Sequence, residues 1–523
     1  MKLRFPQMFL SKLILAALAL IVVSLRAAEN TPPPSRLVGM YIHQHWPYNH
    51  PYAARTWTLE DWRGYADGLK KLGYNAMLIW PMLETMPDPL TPSDEAYLAK
   101  IKTVIDMLHT EMEMRVYVVL CANTGCNNEE AAKATFENRH FFSSDIRVNP
   151  GDPAAMKRLT DWRAKLLAPL ATMDGVAIID SDPTGYPGST NEEFVDLLVG
   201  HRKMLDTLRP NIELYYWMHA GWAGYGRFYE TGVLSFSTDE ENTDILKRLI
   251  AKNPEPWGLA NGLKVAEKLR IADRVISFNY GRIEAEPSFP MTNFGGVAAY
   301  EGGSSPGPRG VMANAQTHCV QLPNTFAFAR GAQGRPVTES DYVGFAEDLI
   351  PGMGTTIARS WKALAGTDPN EMRKCATELT SRANSSVKTG PLKGLLFGDP
   401  QRFLHDLTAM LRLRSAFETL RLATDHGGSP KKELVEFIDA AQAWQHQTGY
   451  ENTWTWPGLS DVLRKLGSAE VNAVLDSQYN PFVAPELRTG EKPFQYIARK
   501  LREEESYTPR LLQALEATRL PTE

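Results

Sequence analysis

Cysteine is scarce, with four in 523 residues. That excludes a disulfide-built scaffold, and the positions Cys121, Cys126, Cys319 and Cys375 have no zinc-knuckle spacing. They read as optional disulfides or buried thiols, with no catalytic thiol among them. Charge of one sign is also lacking: 56 Lys and Arg stand against 61 Asp and Glu, a net of −5. Such a balance gives no surface that would draw a polyanion, so nucleic acid is not an expected partner. Beyond residue 25 no apolar run approaches the ~20 residues that cross a bilayer, and no stable membrane span is expected. There is no repeat of fixed period and no low-complexity linker. Nor does Gly-x-Gly-x-x-Gly follow the first strand-like run, which argues against a nucleotide-binding doubly wound sheet.

What is present begins with an address. Lys2, Arg4 and Lys12 lead into the apolar run Leu13–Leu25, followed by small residues. This reads as a secretory signal over residues 1–28, cleaved after Ala27 or Ala28, with an uncleaved anchor as the alternative. The mature chain is then secreted or periplasmic.

Apolar runs and helical periodicities alternate down the chain. "RLVGMYIHQHW", "YNAMLIWPMLE", "MRVYVVLCAN", "GVAIIDSD", "IELYYWMHAG", "GVLSFSTDEE", "RVISFNYG" and "GVMANAQTH" are strand-like, with helical material from Thr243 to Leu269 between the sixth and seventh. Eight such runs separated by helices predict an α/β fold, a (β/α)8 barrel over residues 35–365. A doubly wound sheet is the alternative architecture. "GLLFGDP" rivals the last run as strand eight. Past residue 366 the texture becomes helical, predicting an α-helical C-terminal region over 366–523.

Barrel chemistry collects at the carboxyl ends of the strands. Those ends offer His43 and His45, Trp80, Asn123, Asp180 and Asp182, Trp217, His219 and Trp222, Asn279 and Tyr280, then Gln316 and His318. A strand repeats every two residues, so Asp180 and Asp182 are expected to face the same way. Each of these residues has an ordinary structural use on its own: a core histidine, a packed tryptophan, an aspartate capping a turn. Together they suggest a polar, ring-lined rim. Paired carboxylates with neutral hydrogen-bonding groups and rings suit glycosidic cleavage, in which one acid protonates the leaving oxygen and another group stabilises a cationic sugar. Repulsion and burial would raise one carboxyl and keep it a proton donor. Asp182 and Asp180 are the expected catalytic pair and the others the expected carbohydrate contacts. Trp80, Trp217 and Trp222 are expected to be partly exposed platforms. No cofactor and no metal are required.

A secreted barrel whose fourth strand ends in neighbouring acids resembles the hexosaminidase-type glycoside hydrolases of families 18, 20 and 84, over roughly residues 37–365. Laid on the chitinase pattern Asp-x-Asp-x-Glu, the places fall on Ile178, Asp180 and Asp182. Family 20 has adjacent Asp-Glu and family 84 adjacent Asp-Asp, where this chain has Asp-Ser-Asp. The resemblance implies that Asp182 is the general acid and Asp180 the residue that orients a 2-acetamido nucleophile. Two other readings compete. His43 and His45, two apart, could share a metal ion with His219 in an amidohydrolase-like barrel, though no lysine lies near the end of strand four. A non-catalytic carbohydrate-binding barrel would keep the rings without needing both acids.

Overall fold

The computed structural model describes residues 36–44, 49–139, 145–181, 184–231, 236–279, 307–315, 322–385, 387–426, 430–449, 458–476 and 507–519. Eight parallel strands close a barrel: β1 (Leu37–Ile42), β2 (Ala76–Ile79), β3 (Arg115–Cys121), β4 (Gly175–Ile179), β5 (Glu213–Trp217), β6 (Trp257–Ala260), β7 (Val275–Asn279) and β8 (Gly310–Ala315). Each pairs with its neighbours in sequence, and β8 closes on β1 with Leu37 opposite Gly310 and Ile42 opposite Ala315. A short antiparallel hairpin, Thr124–Cys126 with Asp145–Arg147, sits in the connection after β3.

The expected barrel is therefore present, with one strand misplaced. Residues 236–238 of "GVLSFSTDEE" have no regular structure, a helix begins at Asp239, and residues 232–235 lie outside the described set. The sixth strand is Trp257–Ala260, inside the stretch expected to be helical. Four residues are too few to show a period. What makes them a strand is pairing with β5, Leu214 opposite Trp257 and Trp217 opposite Ala260. "GLLFGDP" is no strand either; Lys393–Leu396 form a single 3₁₀ turn.

Alternation along the strands assigns the two faces. Gly175 and Gly258 point into the barrel, where an added Cβ would lie 2.8 Å from the Tyr117 ring and 2.6 Å from the Tyr215 ring. These glycines exist to make room for the two tyrosines, which meet edge to face at 5.4 Å. The amino-terminal end of the barrel is closed by charge: Glu213 accepts from Arg309 at 2.6 Å and from Arg115 at 3.3 Å. Higher up, Trp217 stacks on Phe278 at 4.3 Å and meets Tyr41 edge-on at 5.1 Å. The lumen is thus filled below its carboxyl-terminal mouth.

Several helices that return from the mouth start on one chemical device. Thr58 with Asp61, Thr91 with Asp94, Thr190 with Glu193 and Thr238 with Glu241 form capping boxes, each satisfying two otherwise orphaned N–H groups. The first of these helices stops at Gly73, in the left-handed region at φ 102°.

Beyond the barrel, Pro369–Ala383, Pro400–Asp425 and Lys431–Thr448 form the predicted helical region. It grips the connection after β1. The Tyr52 hydroxyl donates to Asp406 at 2.6 Å, the Asn49 N–H donates to the Thr448 carbonyl at 2.9 Å, and the Gln447 amide also reaches Asp406. Cys121 and Cys375 are buried and Cys126 is partly exposed; Cys319 lies outside the described residues. So does the expected signal segment. Among the described residues no helix is long and apolar enough to cross a membrane.

Candidate active site

The strand ends build the mouth from neutral groups and rings. His43 follows β1 and keeps its alternation, its ring 4.1 Å from Tyr41 and 6.0 Å from Trp80. Asn314 on β8 lies opposite Tyr41 and points inward. It is fully buried, and both its amide nitrogen and its amide oxygen lack a partner among the described residues. An unmet amide is costly in a protein interior and suits a site where water or a ligand completes it. His219, just past β5, is exposed, and its Nδ1 lies 2.6 Å from the buried Ser181 Oγ at the end of β4.

Asp180 stands on the other face of the sheet. Its carboxylate accepts the Tyr216 hydroxyl at 2.9 Å, the His219 N–H at 3.0 Å and the Gly221 N–H at 3.2 Å. The Tyr216 ring meets Phe194 of the helix Asn191–Leu208, so this is the helix-packed side of β5. Asp180 is completely buried. Burial pushes its carboxyl above the ordinary range, while the His219 and Gly221 N–H groups, the nearby His219 ring and the Tyr216 hydroxyl pull it back. The expectation that Asp180 faces a substrate cleft is corrected: its oxygens are committed to the turn after β5, which it holds in place.

Buried cations lash the mouth connections together. Arg55, after β1, donates to the carbonyls of Gln44 at 2.6 Å and Arg139 at 2.7 Å. Arg139, after β3, in turn donates to Asp94 at 2.7 Å and to the Thr85 carbonyl at 2.8 Å. Glu84 accepts the Cys121 N–H at 2.6 Å and the Trp80 indole N–H at 3.3 Å, and burial raises its carboxyl. Arg163 donates to the Ala122 carbonyl at 2.9 Å and to His201 Nε2 at 2.7 Å. Burial and that guanidinium push His201 down to about 3, so it stays neutral. The Arg55 and Arg139 bonds tie the described connections after β1, β2 and β3 to one another.

The remaining candidates divide into three groups. His43, Trp80, Trp217 and His219 come together at or just beneath the mouth. Asn123 does not join them as a free contact: its amide donates to the Val148 and Gly185 carbonyls and accepts the Gly185 N–H, all between 2.9 and 3.0 Å. Its hydrogen bonds are spent on joining two loops, and the expectation of a substrate contact is corrected. The exposure expected of the tryptophans is corrected too: Trp80 is 2% exposed, Trp217 1% and Trp222 1%. Trp222 is not at the rim at all but stacks on Phe194 at 4.6 Å beneath the helix layer. Asp182, His45, Tyr280, Gln316 and His318 lie outside the described residues, as does the Asn279 side chain.

Two residues near the mouth escaped the sequence reading. Ser181 looks like a spacer between two acids, yet strand alternation puts it on the face of His219. Phe236 is 58% exposed, and the neighbouring Ser237 N–H binds the Ala220 carbonyl at 3.0 Å, beside His219. Among the described residues no three His, Cys, Asp or Glu side chains are grouped to hold a metal ion.

No protein-family model matches the chain, and no curated protein matches it by sequence. Solved structures do. The chain is similar to a family 89 glycoside hydrolase from Clostridium perfringens in complex with 2-acetamido-1,2-dideoxynojirmycin, at 10% identity and a TM-score of 0.48, covering 93% of this chain and 63% of that one. It is similar to a mutant of a Thermobaculum terrenum O-GlcNAc hydrolase, at 10% identity and a TM-score of 0.46, covering 86% and 99%. A third similar structure is a GH138 enzyme targeting pectin rhamnogalacturonan II, at 10% identity and a TM-score of 0.45, covering 92% and 69%.

Proposed function

We propose that this protein is a secreted glycoside hydrolase-like enzyme that cleaves an oligo- or polysaccharide, with Asp182 as the general acid. The observation that carries this reading is the convergence of hydrogen-bonding groups above a buried ring layer: exposed His219, buried His43 and the Asn314 amide, which has no partner among the described residues, over Tyr41, Trp217 and Phe278. Hydroxyl-rich ligands are held by many hydrogen-bond donors and acceptors. Asp182 enters this reading from the sequence, as the residue that follows Ser181, whose hydroxyl touches His219.

In the proposed step the Asp182 carboxyl donates its proton to the glycosidic oxygen as the bond from that oxygen to the anomeric carbon breaks. The cationic glycosyl fragment left behind is captured by water at its anomeric carbon, and the proton that water gives up restores the Asp182 carboxyl. In terms of the hexosaminidase-type pattern, Asp182 keeps the acid's place while Asp180 acts as a positioning residue. The test is to incubate the purified full chain with a glycan library and measure released reducing ends. Release from at least one glycan is expected. Sugar binding without release would favour a carbohydrate-binding barrel, and neither binding nor release would remove the reading.

A further inference from the structure

The turn after β5 is gripped by two consecutive residues from opposite sides. Asp180, behind the sheet, holds the His219 and Gly221 backbone N–H groups, at 3.0 and 3.2 Å. Ser181, alternating to the inner face, holds the His219 ring: its Oγ is 2.6 Å from Nδ1. The turn has no slack, since Gly221 has φ 95° and an added Cβ would lie 1.5 Å from Ser237 Oγ.

The protons on this pair can be placed by counting donors and acceptors. Ser181 is fully buried, and its Oγ has two neighbours, His219 Nδ1 and, at 3.4 Å, the Ala220 N–H. A backbone N–H can only donate, so it occupies an Oγ lone pair. The serine proton needs an acceptor, and His219 Nδ1 is the one within reach. If Nδ1 carried the proton instead, the buried hydroxyl would lose its acceptor, a penalty on the order of 10- to 100-fold in the tautomer ratio.

We propose that Ser181 is a positioning residue that fixes His219 as the neutral tautomer protonated on Nε2, so that the ring presents a hydrogen-bond donor to an oxygen of a hydroxylated ligand at the barrel mouth. The ligand class rests on the glycoside reading above; the tautomer does not. A Ser–His pair also invites an acyl-transfer interpretation, with Ser181 as nucleophile. The hydroxyl has no exposed surface, which sets it against attack on a bound ester.

The experiment uses the full-length protein labelled with ¹⁵N-histidine, its two-bond ¹H–¹⁵N spectrum recorded near pH 8.5 so that ordinary imidazoles are neutral, and His219 assigned by comparison with His219→Gln. The parent is expected to show Nε2 protonated and Nδ1 as the bare acceptor. Ser181→Ala should shift His219 to a mixture of tautomers, and Ser181→Thr, which keeps the hydroxyl, should restore the parent pattern. A parent spectrum with Nδ1 protonated, or a Ser181→Ala spectrum unchanged in a folded protein, overturns the proposal. Labelling of Ser181 by a fluorophosphonate would overturn it in favour of a nucleophile. Because the spectrum needs no substrate, an inactive protein with the expected tautomer would sink the glycosidase reading alone. On a glycan that the parent cleaves, Ser181→Ala should raise KM roughly 5- to 10-fold with a smaller change in kcat.

Discussion

Trp222 lies nearly flat on Phe194, ring centroids 4.6 Å apart and planes 16° from parallel. An indole so placed, 1% exposed, belongs to the layer between barrel and helices. Trp222→Ala should therefore cost about 3–5 kcal/mol, seen as a large drop in melting temperature with sugar binding retained among folded molecules. Phe236, 58% exposed next to the turn after β5, is the ring predicted to meet a glycan instead. Phe236→Ala should melt within about 0.5 kcal/mol of the parent while weakening glycan binding. Isothermal titration beside calorimetry separates the two, and an inverted pattern would return Trp222 to the rim.

Asp180 is predicted to act through structure. Asp180→Ala leaves the Tyr216 hydroxyl and two N–H groups without an acceptor, at about 1–3 kcal/mol for each buried group. Asp180→Asn keeps the shape but turns amide hydrogens toward donors, so it too should lower the melting temperature. Burial raises the Asp180 carboxyl, so its share of stability is fully present below the unfolded value and falls as pH rises through the folded one. Replacement by asparagine should remove that part of the pH dependence. Melting curves across the acid range check both points, and a variant that melts like the parent would leave Asp180 free for chemistry.

Asp406, where the helical region grips the connection after β1, supplies a second pH dependence. Burial pushes it up to about 6, against the Tyr52 hydroxyl, Arg402 and Gln447, with Asp399 adding a little repulsion. Its folded value lies above the ordinary 3.8. Stability linked to it is therefore complete below about pH 3.8 and declines as pH rises through 6, by about 3 kcal/mol. Asp406→Asn should flatten the fall in melting temperature between about pH 4 and pH 7. An identical fall in parent and variant would show that Asp406 ionises at no cost.

Most of the barrel was readable because its strands are apolar runs and its helices carry strong stops and starts, such as Thr58 and Gly73. The sixth strand was not, since Trp257–Ala260 gains its identity from pairing with β5 rather than from local pattern. At the site, alternation correctly put Trp217 and His43 inward. It left open which parity of β4 faces the lumen: Ile179 pairs with inward Trp217, so Asp180 alternates to the packed side and Ser181 to the mouth. Nor can a sequence distinguish an amide with no partner among the described residues, as at Asn314, from one consumed by loop carbonyls, as at Asn123. The buried arginines Arg55, Arg139 and Arg163 were invisible for the same reason, because each binds backbone carbonyls brought together only by folding.

Everything proposed for the chemistry turns on Asp182 giving the proton. Turnover of Asp182→Asn against the parent, on a glycan the parent cleaves, addresses that step itself, with affinity and melting temperature measured alongside. If Asp182 is the general acid, kcat should fall at least ~100-fold with binding and melting close to the parent. Turnover near that of the parent, in a variant that folds and binds normally, would rule Asp182 out as the acid.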